Sequence, residues 1–161
     1  MKKALLCFML FAVTAYAGID KAQVENFKKE SLALRGAVAD AARAAIPGNY
    51  LDLPKATYLE GYGVVVTLEA SLLPTRTPFS SVETPEQVRK TVSERRKEIT
   101  QKLEEVLKKR VGAMESIAPN DSVTIVLYLL NSNPVDVPDL PGQILFTAKK
   151  QDPTQVTIQE F

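Results

Sequence analysis

Apolar positions recur along this chain with two different periods, and each change of period marks a new element. Between Asp20 and Ile46, the residues Val24, Phe27, Ser31, Leu34, Val38, Ala41 and Ala45 fall three and four apart, which is one stripe of a helix. The stripe shrinks from Phe27 to a run of alanines, so a neighbouring element is able to approach its second half closely. Asp20 and Gln23 stand at capping-box spacing. Ile46-Pro47-Gly48-Asn49 ends the helix, since proline lacks an N–H and restricts the residue before it. After a loop with a turn around Pro54, the period falls to that of a strand over residues 62–73. Its centre, Val64-Val65-Val66, is β-branched, and such side chains suit a pleated, half-buried surface. The glycines on either side of Tyr62 predict a bulge or a close backbone approach.

A second helix is expected over 85–114. Thr84 is its N-cap, Pro85 its first residue, and Gln87 completes a capping box. Its apolar stripe is Val88, Val92, Ile99, Leu103, Val106, Leu107, Val111 and Met114, interrupted by the charged run Ser93–Glu98. The second half is therefore expected to pack on a sheet and the first half to stand out from it. Three more strands follow, at 122–130, 143–149 and 155–161. The first is apolar on both faces near its centre, as an internal strand is. The last alternates Val156 and Ile158 with polar residues, as an edge strand does. The loop between 131 and 142 carries Pro134, Pro138 and Pro141 and is expected to be semi-rigid.

Helix, strand, helix, strand, strand, strand is the pattern of an α+β fold. We expect a two-layer domain, a four-stranded mixed sheet covered on one face by two helices. The first strand, long helix and second strand would form a right-handed parallel crossover.

Composition changes this picture at the N-terminus. Lys2 and Lys3, the apolar run Ala4–Thr14 and Ala15-Tyr16-Ala17 have the three parts of a secretory signal, so residues 1–17 are expected to be cleaved and 18–161 to form the domain. The run is shorter than the ~20 residues that a spanning helix needs, so no stable membrane insertion is expected after cleavage. A fate outside the cytoplasm follows from the same signal: the protein is expected to be exported, as a periplasmic or secreted chain. Removing Lys2 and Lys3 takes the chain from 20 basic and 19 acidic residues to a net charge of −1. It also removes Cys7, the single cysteine of a chain that has no histidine and no tryptophan.

Those absences narrow the chemistry. Without Cys or His the usual zinc and soft-metal sites cannot be built, and a Ser-His-Asp or Cys-His nucleophile has no base. No metal and no cofactor is therefore expected. Near-zero net charge argues against bulk attraction to nucleic acid. Carboxylates, lysines, tyrosines and hydroxyls remain.

Three constellations use them. Arg95, Arg96 and Lys97, on the half of the second helix expected to stand free, are candidates for binding a partner, either another envelope protein or a second copy of the chain. Tyr62, Tyr128, Asp136 and Asp139 are candidates for a small-ligand pocket between sheet and helices, polar tips in an apolar lining. Glu60, Glu69, Asp136 and Asp139 are the acids from which a carboxylate-dependent glycan hydrolase would have to draw a pair about 5–9 Å apart. The shortage of catalytic side chains favours a non-catalytic binding or assembly domain.

The strings YLEGYGVVVTLEASL, DLPGQILFTAKK and the closing VTIQEF resemble those of exported bacterial proteins with no assigned activity. The resemblance runs from about Tyr58 to the end. It implies an envelope location and carries no functional residues with it.

Overall fold

Two helices lie on one face of a five-stranded mixed sheet. The computed structural model describes residues 21–47, 52–74, 83–132 and 134–161. In chain order the elements are α1 (Lys21–Ala45), β1 (Lys55–Leu59), β2 (Gly63–Ala70), α2 (Pro85–Arg110), a 3-10 turn at Val111–Ala113, β3 (Ser122–Leu129), β4 (Gln143–Lys149) and β5 (Asp152–Glu160). Strand order across the sheet is the order in sequence. β2 and β3 are parallel, with α2 as the crossover, and the other neighbours are antiparallel.

The sheet has one strand more than the sequence pattern predicts. β1, KATYL, runs antiparallel to β2 from Lys55↔Thr67 to Leu59↔Gly63. Its short, polar sequence hides it, because only Ala56 and Tyr58 face the helices and Pro54 beside it reads as a loop signal. The hairpin closes through Gly61, at φ 75°, and the Tyr62 amide, which donates to the Leu59 carbonyl at 3.1 Å. A positive φ is where glycine is favoured, since it has no Cβ to clash.

Alternation along each inner strand puts the core on the helix side. Val64, Val66, Leu68 and Ala70 of β2, Val123, Ile125, Leu127 and Leu129 of β3, and Ile144, Phe146 and Ala148 of β4 are buried there. Leu34, Val38, Ala42 and Ala45 of α1 and Val88, Val92, Ile99, Leu103 and Leu107 of α2 join the same cluster. Each large side chain so buried contributes about 1.5–3 kcal/mol relative to leaving it exposed. Of the alanines that end the α1 stripe, Ala45 is buried and Ala41 partly so, and the buried Ala42 lies beside them.

The start of α2 is as expected. Thr84 caps the Gln87 amide, and the Gln87 side chain returns a bond to the Thr84 amide. The first half of the helix, however, does not stand free: Val88 and Val92 are 1% and 4% exposed. Arg95 occupies the position at which the apolar stripe breaks. Its guanidinium donates to the carbonyls of Leu72 and Leu73 at 3.2 and 2.7 Å. A long basic side chain can cover apolar surface with its stem while its head finds acceptors, so the charged run interrupts the pattern without interrupting the packing. The expected N-cap Asp20, the leader at 1–17 and most of the loop before α2 lie outside the described residues.

Candidate functional site

Both described helices cover one face of the sheet, and the side chains of the opposite face stand in cross-strand rows. The register sets the middle row as Thr57, Val65, Thr124, Thr147 and Thr157. The next row is Lys55, Thr67, Val126, Leu145 and Gln159. Beyond it stand Glu69, Tyr128 and Gln143. Val65, Val126 and Leu145 are only partly covered, and Leu59 and Tyr128 are 46% and 42% exposed. A sheet bare on one face is common in antiparallel sheets and unusual beside a parallel pair.

Tyr62 belongs to this bare face. Its hydroxyl lies 2.6 Å from Thr124 Oγ1, which is in turn 2.9 Å from Thr147 Oγ1. The ring thereby covers Thr124, which is only 3% exposed. The chain of hydroxyls satisfies a polar side chain that would otherwise be buried unpaired, at a cost of about 1–3 kcal/mol. Gly63 makes this possible: at φ 122° its backbone lies against Ser122, and the Ser122 amide donates to the Tyr62 carbonyl at 2.8 Å. The close approach expected from the two glycines is present.

The pocket residues proposed from sequence are not brought together. Tyr62 and Tyr128 occupy opposite ends of the bare face rather than the space between sheet and helices. Asp139 is elsewhere, in a groove of about 180 Å³ with Arg89, Val92, Ser93, Arg96, Val137, Pro138 and Leu140. Asp136 is half-buried in the same loop, which is closed by a bond from Asn131 Nδ2 to the Val137 carbonyl at 2.8 Å. Glu60 lies in the turn before β2 and Glu69 near the far end of that strand, which separates them by about 20 Å. That pair is far outside the spacing a glycosidase uses.

The three basic residues of α2 have three different environments. Arg95 points inward to the Leu72 and Leu73 carbonyls. Arg96 makes a forked bond to the Glu160 carboxylate at the end of β5. That bond holds the Glu160 carboxyl below its usual range, burial opposing the effect, and raises Arg96. Lys97 alone is exposed with no bonded partner among the described residues. Arg95 and Arg96 therefore hold the domain together, a role their sequence neighbourhood does not signal.

A second polar cluster ties α1 to the far end of the sheet. The Glu30 carboxylate accepts from the amides of Glu115 and Ser116 at 2.8 and 3.1 Å and from the Ser116 hydroxyl. Burial by itself would raise the Glu30 pKa, but the Ser116 hydroxyl, the two amides and the charge of Lys150 outweigh it, and the net shift is downward. Nearby, Phe27 meets the Tyr58 ring edge-on at 5.7 Å, and the Tyr58 hydroxyl donates to Asp121 Oδ2 at 3.2 Å. Asp121 Oδ2 also accepts from the Ala118 amide at 3.0 Å. Burial, then the Asp121 charge and bond, raise the Tyr58 pKa. These groups satisfy one another across a helix, a strand and a turn.

β5 forms one edge of the sheet, as expected. Regular pairing with β4 runs from Ala148↔Val156 to Ile144↔Glu160, and an irregularity lies at Ala148/Lys149. Pro153 is its only proline, and no lysine or arginine falls within Asp152–Glu160.

No family model, curated protein or solved structure matches this chain. Among the described residues no helix is long and apolar enough to cross a membrane, and no group of three or more acidic, histidine or cysteine side chains is placed to hold a metal ion.

Proposed function

We propose that this is a non-catalytic domain of an exported protein that works by associating with protein surfaces, in the first place with copies of itself. The observation that carries the reading is the sheet. One face is left bare by both helices, and β5 presents an open edge without the basic side chains that commonly guard such edges. Side chains that would serve chemistry are instead spent on structure: Glu30, Tyr58, Asp121, Arg95 and Arg96 each bond within the domain. Export is supported by the basic, apolar and Ala-x-Ala parts of residues 1–17, and the envelope is the compartment in which the association would take place.

Sedimentation velocity of the purified protein over a hundredfold range of concentration tests this reading. A mass that rises with concentration supports self-association. A monomer throughout the range removes it.

A second reading has one observation in its favour. Arg89 and Asp139 line the same groove over an apolar floor of Val92, Val137 and Leu140, with no ion pair between them among the described residues. A small ligand carrying a charged group and an apolar body fits those walls. Thermal-shift screening of small carboxylates and amines against wild type and Arg89→Ala tests it, a flat response across both excluding the groove as a site.

A further inference from the structure

We infer that β5 pairs antiparallel with β5 of a second copy about a two-fold axis at Thr157, joining two sheets into one. The inference rests on the self-association reading above and specifies its surface.

The backbone decides which groups are open. Gln143 and Phe161 exchange both of their backbone bonds, at 3.1 and 3.0 Å. In an antiparallel ladder such pairs alternate with pairs that exchange none. Gln159 and Thr157 therefore bond to β4, while Val156, Ile158 and Glu160 turn their N–H and C=O groups to the open edge. A two-fold at Thr157 places Val156 of one copy opposite Ile158 of the other, and both residues of that pair have outward-pointing groups. The register thus satisfies the open edge on both copies without moving either chain.

The side chains agree with the same register. Val156 and Ile158 lie on the helix side, where Val156 packs on the core and Ile158 is 38% exposed at the rim. Pairing them across the axis covers the exposed part of Ile158 with an apolar neighbour, and cross-strand pairs of this kind are favourable. On the bare face Thr157 meets Thr157, so the middle row of threonines continues from one sheet into the other.

The strand sequence argues for a second copy rather than an unrelated strand: Gln155-Val156-Thr157-Ile158-Gln159 reads nearly alike in both directions about Thr157, so β5 is complementary to itself. A C2 interface requires this self-complementarity. The bond from Arg96 to Glu160 identifies which side of the helix faces β5, and Ser93, Lys97, Thr100 and Glu104 line one surface with Arg96. From Glu160 down to Thr157 the strand descends about 10 Å, as far as six or seven helical residues. The axis therefore passes α2 near Lys102 and Leu103. The two α2 helices run antiparallel beside it, related by the same axis that pairs Val156 with Ile158.

Cysteine crosslinking in a Cys7→Ser background tests the axis. Facing residues that exchange no backbone bonds have Cα atoms about 4.5 Å apart, within the range a disulfide spans. Thr157→Cys is expected to form a covalent dimer on mild oxidation, and Gln159→Cys, whose two copies lie farther apart across the axis, is not. Ile158→Lys, which places a charge at the rim, is expected to give a monomer with little change in melting temperature. A dimer that survives Ile158→Lys and does not crosslink through Thr157→Cys overturns the edge pairing while leaving self-association in place. A wild-type protein that stays monomeric and uncrosslinked overturns both.

Discussion

Gly63 lies so close to Ser122 that a Cβ at position 63 would stand 2.1 Å from the Ser122 carbonyl oxygen and 2.8 Å from its amide nitrogen. This is the first rung of the parallel pair, Gly63↔Ser122, so the contact helps to fix the register on which every later row depends. A one-residue slip would turn the buried valines of β2 to the wrong face. Gly63→Ala should therefore cost about 3 kcal/mol or more, combining an unfavourable φ with a backbone clash. Gly61→Ala, where φ is also positive but nothing lies within 4 Å, should cost only about 1–2 kcal/mol. Urea denaturation of the two variants checks the difference, and equal losses would contradict it.

Arg95, Arg96 and Lys97 are adjacent in sequence and should respond differently to truncation. Arg95→Ala removes the bonds to the Leu72 and Leu73 carbonyls and should cost about 1–3 kcal/mol. Arg96→Ala breaks a partly solvated ion pair, with side chains 35% and 40% exposed, and should cost less than about 1 kcal/mol, diminishing in high salt. Lys97→Ala should leave the melting temperature unchanged. Thermal melts at low and high salt separate the three, and a neutral Arg95→Ala would remove its assigned role.

Acid should loosen α1 through Glu30. Its carboxyl is held below the ordinary value of 4.5 in the folded chain. A depressed carboxyl contributes stability that is fully present above the ordinary value and is lost as pH falls through the lower, folded one. Wild type should therefore lose stability relative to Glu30→Gln as the pH is taken from 6 down through the acidic range. At pH 7 the substitution itself should cost about 1–3 kcal/mol in lost carboxylate bonds. Parallel denaturation curves for the two proteins across that range would contradict the assignment.

The proposed export would leave its own mark on the chain. The protein recovered from outside the cytoplasm should begin at Gly18, and its intact mass should lack the first seventeen residues. A recovered chain that retains Met1 would contradict cleavage after Ala17.

How far the sequence reveals this arrangement depends on which residues carry each feature. The α2 N-cap, the inward faces of β3 and β4 and the edge position of β5 all rest on local patterns: a capping box, strict alternation, a rim of polar residues. β1 is hidden because its five residues bury little, so its strand state comes from pairing with β2 rather than from its own composition. The packing of the first half of α2 is hidden because Arg95 interrupts the apolar stripe, and a charged residue that bonds inward looks the same in sequence as one that faces water. The candidate site is least legible of all. Tyr62 and Tyr128 read as pocket tips between layers, yet the parity of β3 and the turn at Gly61 put both on the opposite face of the sheet.

Hydrogen exchange at the open edge tests the central claim most directly. In an associated protein the outward amides of Val156 and Ile158 are bonded to a second chain, and in a lone chain they face solvent. Their exchange should therefore be slow in concentrated protein and become fast on dilution, while the β4-bonded amides of Thr157 and Gln159 stay protected in both. Fast exchange at Val156 and Ile158 at every concentration, with Thr157 and Gln159 protected, would contradict association through this strand.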